Sequence, residues 1–245
     1  MEDPDYALAV WNQHSRYANP GGRGFAALEL GPGDSLAAAI IAAASGVSRT
    51  YFVDNGDFAS RDVAVYSRMA QRLRTIGLSA PDIHNCDSFA QVLRACHAEY
   101  LTNGLSSLWK LPDHSVDFIW SHAVLEHVRL SEFEGLQREL HRILRPGGVC
   151  SHEVDLRDHL NMGLQQLRFP RRFWESALVV GSGFYTNRLR RSEILLLMER
   201  AGFQCSVVST TCWEHPVISR QSVHRDFQML DDREFSVSGL HVVCK

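Results

Sequence analysis

The 245-residue sequence predicts an α/β fold, a doubly wound sheet with helices on both faces, and three stretches carry that prediction. The first, residues 27–54, runs from a short apolar segment through Gly31-Pro32-Gly33 into a small-residue helix and a second apolar segment ended by Asp54. That is the first half of a nucleotide-binding strand-helix-strand unit. The second is the apolar run 117–120, a buried central strand opened by Asp117 and followed directly by a helical segment. The third is the helical pattern over 131–144, closed by Arg145-Pro146-Gly147-Gly148 and leading into a strand over 149–154.

The remaining elements follow from local signals. Residues 5–18 carry Tyr6, Leu8, Val10, Trp11 and Tyr17 among polar residues, the pattern of a short amphipathic helix stopped by Asn19-Pro20-Gly21-Gly22. It either lids a ligand, bringing Trp11, His14 or Arg16 near it, or simply covers the sheet. Val63, Val65, Tyr66, Met69 and Leu73 place a helix over 60–76 that Gly77 ends, and a second helical stretch spans 86–96. The run 99–102 reads as the third strand, and 105–110 as a link to the next. Ser192 caps a helix over 193–201, with Gly202 as its stop. Residues 203–213 and 235–244 read as two strands joined by a polar link, 214–234, expected to be mobile.

Composition narrows the classes. The length suits one domain spanning 1–245 with a full core. A formal charge of −3 with acids and bases interspersed announces no basic surface for nucleic acid, which favours a small-molecule substrate. No apolar run approaches the roughly 20 residues of a membrane span, and the acidic N-terminus has no signal-peptide core, so a cytoplasmic protein is expected. The six cysteines include no C-x-x-C pair, and reduced, mostly buried thiols are the expectation.

The glycine turn and Asp54 suggest the ligand. Gly31 and Gly33 let backbone pass close to a bound group, and a carboxylate ending the neighbouring strand stands at the height of a ribose diol, a geometry that fits adenosine. Leu36 stands where a dinucleotide turn has its third glycine, which disfavours a pyrophosphate and with it a nicotinamide oxidoreductase.

Glu29-Leu30-Gly31-Pro32-Gly33, the run Leu111-Pro112-Asp113-His114-Ser115-Val116-Asp117, the following Ser121-His122-Ala123-Val124-Leu125-Glu126-His127-Val128, and Leu144-Arg145-Pro146-Gly147-Gly148 together resemble the class I S-adenosylmethionine-dependent methyltransferases, of the small-molecule, type 11-like kind. The resemblance implies seven strands in the order 3-2-1-4-5-7-6 and S-adenosyl-L-methionine as cofactor. It implies that Gly31 and Gly33 wrap the methionine end, that Asp54 holds the ribose hydroxyls, and that Glu29 acts through water or a backbone amine. Ser121 and His122 would flank the sulfonium. Asn103 stands where the family usually has an acid facing the adenine amine; its carbonyl oxygen accepts the same bond, or it is a turn residue before Gly104.

Methyl transfer to a hydroxyl, as on a sugar or another polar metabolite, needs a base, and His122, His127 and His159 are the candidates, with Asp155 as base, orienter or metal ligand. His127 is alternatively a residue packed behind the site. Around the end of the fifth strand, His152, Glu153, Asp155, Arg157, Asp158 and His159 form a cluster that binds a divalent metal, serves without metal as base or hydrogen-bonding set, or is a solvated turn. Residues 156–190 are dense in arginine and aromatics and read as a substrate cap, or as solvated surface. A non-catalytic cofactor-binding subunit of the same fold is the remaining alternative. Oligomeric state is not written in the sequence.

Overall fold

The computed structural model describes residues 3–18 and 25–245. The chain opens with α1 (Pro4–Ser15), β1 (Ala26–Leu30), α2 (Ala37–Ala44), β2 (Arg49–Val53), α3 (Val63–Thr75), α4 (Phe89–Ala95) and β3 (Ala98–Leu101). It continues through α5 (Leu105–Leu108), β4 (Val116–His122), α6 (Leu130–Ile143) and β5 (Leu144–Asp155). Two short helices, α7 (Arg171–Trp174) and α8 (Ala177–Val180), precede α9 (Arg191–Arg200), β6 (Cys205–Cys212) and β7 (Val237–Cys244). The strands form one seven-stranded sheet in the order β3-β2-β1-β4-β5-β7-β6, as the family resemblance implied. β1 lies parallel to β2 and β4, β2 lies parallel to β3, and β6 and β7 pair antiparallel. Four of the five residues of β1 are buried in succession, the signature of a parallel strand covered on both faces.

The chain divides into two compact units, one made of residues up to Ser121 with 142–151 and Lys245, the other of 122–141 and 152–244. In the first, α1 is capped by Asp3, whose side chain accepts from the Asp5 N–H, and buries Ala7, Leu8, Val10, Trp11 and His14. Trp11 meets the stacked rings of Phe118 and Trp120 edge-on, at 6.3 and 5.2 Å between centroids. His14 Nδ1 pairs with Ser151 Oγ at 2.8 Å. α1 thus packs into the core. The stop expected at residues 19–22 lies outside the described residues.

Several boundaries differ from expectation for physical reasons. The link 105–110 contains α5, which follows Gly104 at φ +54°. β4 does not run straight into a helix: a 3-10 turn over Leu125–His127 intervenes before α6. β5 begins at Leu144, so the Arg-Pro-Gly-Gly turn lies within it. Gly148 is obligatory there, because a Cβ would come within 2.9 Å of the Arg145 and Asp117 carbonyl oxygens. Ser192 is not the cap of α9; the helix starts at Arg191, and the Glu193 carboxylate accepts from the Arg190 N–H at 3.1 Å. The polar link before β7 is folded: Ile218, Val223, Phe227 and Phe235 form a buried cluster with Leu164 and Leu167. Its 3-10 turns space these apolar residues without a helical or strand period.

Candidate active site

In the first unit, the end of β1 turns through Gly31 and Gly33, at φ +63° and +70°. The Gly31 N–H donates to the Val53 carbonyl at 2.8 Å, and the Gly33 N–H to Asp54 Oδ2 at 3.1 Å. Asp54 Oδ1 accepts from the Asn55 N–H at 2.8 Å. Burial raises the Asp54 pKa, and the bonds from Asn55 and Gly33 pull it back. Each oxygen accepts one bond from backbone and keeps lone pairs for a diol. A Cβ placed at Gly33 would meet nothing within 4 Å, so open space lies beside the turn. A glycine bend, a half-buried carboxylate and free space together fit the ribose and methionine end of an adenosyl ligand.

The Gly104 N–H donates to the Asp54 carbonyl at 2.8 Å, which sets Asn103 beside the same strand end. Asn103 is exposed. Its backbone makes the turn, with its N–H on Ser107 Oγ at 3.0 Å and its carbonyl accepting Ser106 Oγ at 2.7 Å. Ser121 is fully buried and pairs with Leu30, the residue just before the glycine turn.

Glu29 lies behind the turn. It is 2% exposed, bonded to the Trp120 side chain, and leaves Oε2 without a hydrogen-bond partner. Desolvation raises its pKa to about 8, so it stays protonated at neutral pH. Beside it, Ala7, Val10, Trp11, Ser35 and Trp120 help to line a cavity of about 10 Å³, room for about one water.

In the second unit, His122 ends β4 half-buried, with a pKa lowered by desolvation. Ala123 follows at φ +54°, strained for a residue with a side chain, its N–H bonded to the Glu153 carbonyl at 2.9 Å. Asn187, which the sequence did not single out, clamps the next turn. Its side-chain amide donates to the Leu125 and Val128 carbonyls at 2.7 and 3.0 Å, and its N–H to the Glu126 carbonyl at 2.7 Å. Only a lone Asn in an irregular stretch announced it.

That clamp fixes His127. Its Nδ1 lies 3.2 Å from the Tyr185 carbonyl oxygen, which can only accept, so Nδ1 carries the proton and Nε2 keeps the lone pair. The His159 ring stands 4.9 Å away, tilted by 58°. Desolvation and His159 lower the His127 pKa against the opposing pull of the Tyr185 carbonyl and Asp155.

Asp155 is bound to Arg157 through both oxygens, at 2.9 Å to Nε and 2.7 Å to Nη2. Burial pushes its pKa up, but the Arg157 bonds outweigh that and hold it below the ordinary carboxylate value. Asp158 leaves the mouth: it is 1% exposed and accepts from the N–H groups of Leu160, Asn161 and Gln165. His152 is buried and its pKa falls to about 3 through desolvation and His241. Among the described residues no group of three or more His, Cys, Asp or Glu is placed to hold a metal ion.

Two of the arginines in residues 156–190 are structural. Arg190, fully buried, donates to the carbonyls of Leu156, Glu234 and Val237. Arg188 donates to the Gln166 and Phe169 carbonyls and lies over the Trp174 and Phe227 rings, about 5 Å from each centroid. Arg171 is paired with Glu193 at 2.8 Å, whereas Arg168 and Arg172 are exposed.

A seven-stranded sheet with the last hairpin reversed, and a glycine turn bonded to the acid of the next strand, define a class I methyltransferase fold. The model of the methyltransferase domain family matches residues 28–151, just over half of the chain, and the protein belongs to that family as an S-adenosylmethionine-dependent methyltransferase. Among solved structures, an S-adenosylmethionine-dependent methyltransferase from Mesorhizobium loti is similar at 19% identity, covering 99% of each chain, with a TM-score of 0.53. A methyltransferase from Archaeoglobus fulgidus shares 11% identity over 99% of this chain and 94% of its own, at a TM-score of 0.52. The YcgJ protein from Bacillus subtilis shares 13% over 98% and 97%, at 0.53. At these identities the likeness is one of fold. No curated protein matches the sequence. No helix among the described residues is long and apolar enough to cross a membrane.

Proposed function

We propose that the protein methylates a hydroxyl of a small polar acceptor, such as a sugar, with His127 as the base. One observation carries this reading: the Tyr185 carbonyl holds the His127 Nδ1 proton, leaving Nε2 free to accept one. Gly31, Gly33, Asp54, Asn103 and Ser121 are assigned to the cofactor, Asp54 through the ribose hydroxyls and Asn103 through the adenine amine. When bound, S-adenosylmethionine supplies an electrophilic methyl carbon on sulfur. His127 Nε2 would accept the proton of the acceptor hydroxyl as that oxygen takes up the methyl group. Asp155, held ionised by Arg157, favours the imidazolium that results; His122 and His159 border the acceptor. The whole chain acts as one methyltransferase domain, with residues 156–190 as its substrate cap.

The test is methyl transfer to a panel of hydroxyl, amine and thiol acceptors, with His127→Gln beside the wild type. The variant should keep S-adenosylhomocysteine affinity and lose about 100-fold or more in kcat, the scale of general-base catalysis. Because the His127 pKa lies below the ordinary 6.5, wild-type kcat/KM should hold level down to a lower pH than a free histidine allows, then fall on the acid side. Turnover on amines alone, or a variant as active as wild type, contradicts the reading. Cofactor binding with no turnover on any acceptor replaces it with a non-catalytic role.

A further inference from the structure

β6 and β7 close the sheet as an antiparallel pair, and the first matched residues of that ladder are both cysteines, Cys205 opposite Cys244. Their sulfurs stand 2.8 Å apart, closer than two unbonded thiols pack. Directly opposed residues on antiparallel strands have Cα atoms about 4.5–5.5 Å apart, inside the 4.4–6.8 Å range a disulfide spans. The two thiols also differ in access. Cys205 is half-exposed and Cys244 is 1% exposed, its sulfur resting 3.7 Å from Met198 Sδ. None of the six cysteines is in a disulfide in this structure.

We propose that Cys205 and Cys244 are a modification site: a reversible intrachain disulfide that forms by exchange with a low-molecular-weight disulfide of the glutathione type. Cys205, the accessible thiol, attacks as thiolate on one sulfur of the small disulfide and expels one small thiolate, giving a mixed disulfide. Cys244 then loses its proton to solvent, attacks Cys205 Sγ and expels the second small thiolate. One small disulfide is reduced to two thiols, and two protein thiols are oxidised to one bond. The Cys244 thiol hydrogen-bonded to Cys205 lowers the Cys205 pKa against the opposing effect of burial, which favours the attacking form. The bond pins the open end of the β6–β7 hairpin, at the end opposite the link that carries Ile218, Val223 and Phe227 into their buried cluster.

Incubating the full-length protein with oxidised glutathione and mapping peptides without reductant tests this. The expected product joins the Cys205 and Cys244 peptides with the loss of two thiols, is reversed by dithiothreitol, and is absent in Cys205→Ser and Cys244→Ser. Cross-linking across the hairpin should raise Tm by roughly 5–10 °C in the wild type, with no rise in Cys205→Ser. Should the buried Cys244→Ser variant fail to fold, the half-exposed Cys205→Ser variant carries the comparison alone. A persistent glutathione adduct on Cys205 with Cys244 still free to alkylate in denaturant, or both thiols free after incubation, overturns the proposal.

Discussion

A carboxyl sealed under α1, in a cavity shared with Trp11 and Trp120, keeps its proton where an ordinary glutamate has lost it. Below pH 4.5 Glu29 is neutral whether the chain is folded or not. Between 4.5 and about 8 the unfolded chain releases a proton that the folded chain retains, so stability falls across that window as pH rises. Glu29→Gln keeps the shape and removes the titration. Its Tm should therefore vary less than that of the wild type between about pH 5 and 8, and equal slopes in the two proteins would contradict the buried-acid account. The chemistry of Glu29 is visible in the sequence as an acid before a glycine turn; its depth is not, because that depends on α1 lying over it. The same gap separates Arg188 and Arg190 from their predicted role. Their charge shows in the sequence, whereas the backbone carbonyls that consume it lie far along the chain.

At the level of elements, the legible features were those with a local cause. The glycine bend, the buried run of β4 and the helical spacing of α6 each follow from a few adjacent residues, and their positions fell within a few residues of expectation. The 3-10 turn after β4 was not legible, because its cause is Asn187, some sixty residues away in the chain. That turn carries His127, so Asn187 is a positioning residue for the proposed base. Asn187→Ala leaves the Leu125 and Val128 carbonyls without their donor, at a cost of about 1–3 kcal/mol in stability. It should lower kcat while leaving cofactor affinity unchanged. A variant with reduced Tm and unaltered kcat would show that the turn supports the fold alone. The link before β7 failed as a prediction for a related reason: its apolar residues have no regular period, and only their shared cluster with Leu164 and Leu167 shows that they are core.

Across the whole molecule, the order of the sheet is what puts a glycine turn and the acid of the adjacent strand at one place, because β1 has β2 as its parallel neighbour. That pairing was legible, since alternating strands and helices force parallel neighbours and the two motif segments are consecutive in the chain. The carboxylates after β5 were less so, since Asp155 and Asp158 are distinguished only by partners that fold to meet them. The most direct test of the central claim is calorimetric binding of S-adenosylhomocysteine to wild type and to Asp54→Ala, with Tm recorded for both. Two charge-assisted hydrogen bonds to the ribose are worth about 1.5–3 kcal/mol each, so affinity should fall by about 100-fold or more in a variant that still unfolds cooperatively. An unchanged dissociation constant in a folded Asp54→Ala protein would contradict the assignment of that carboxylate, and of the turn bonded to it, to the adenosyl group.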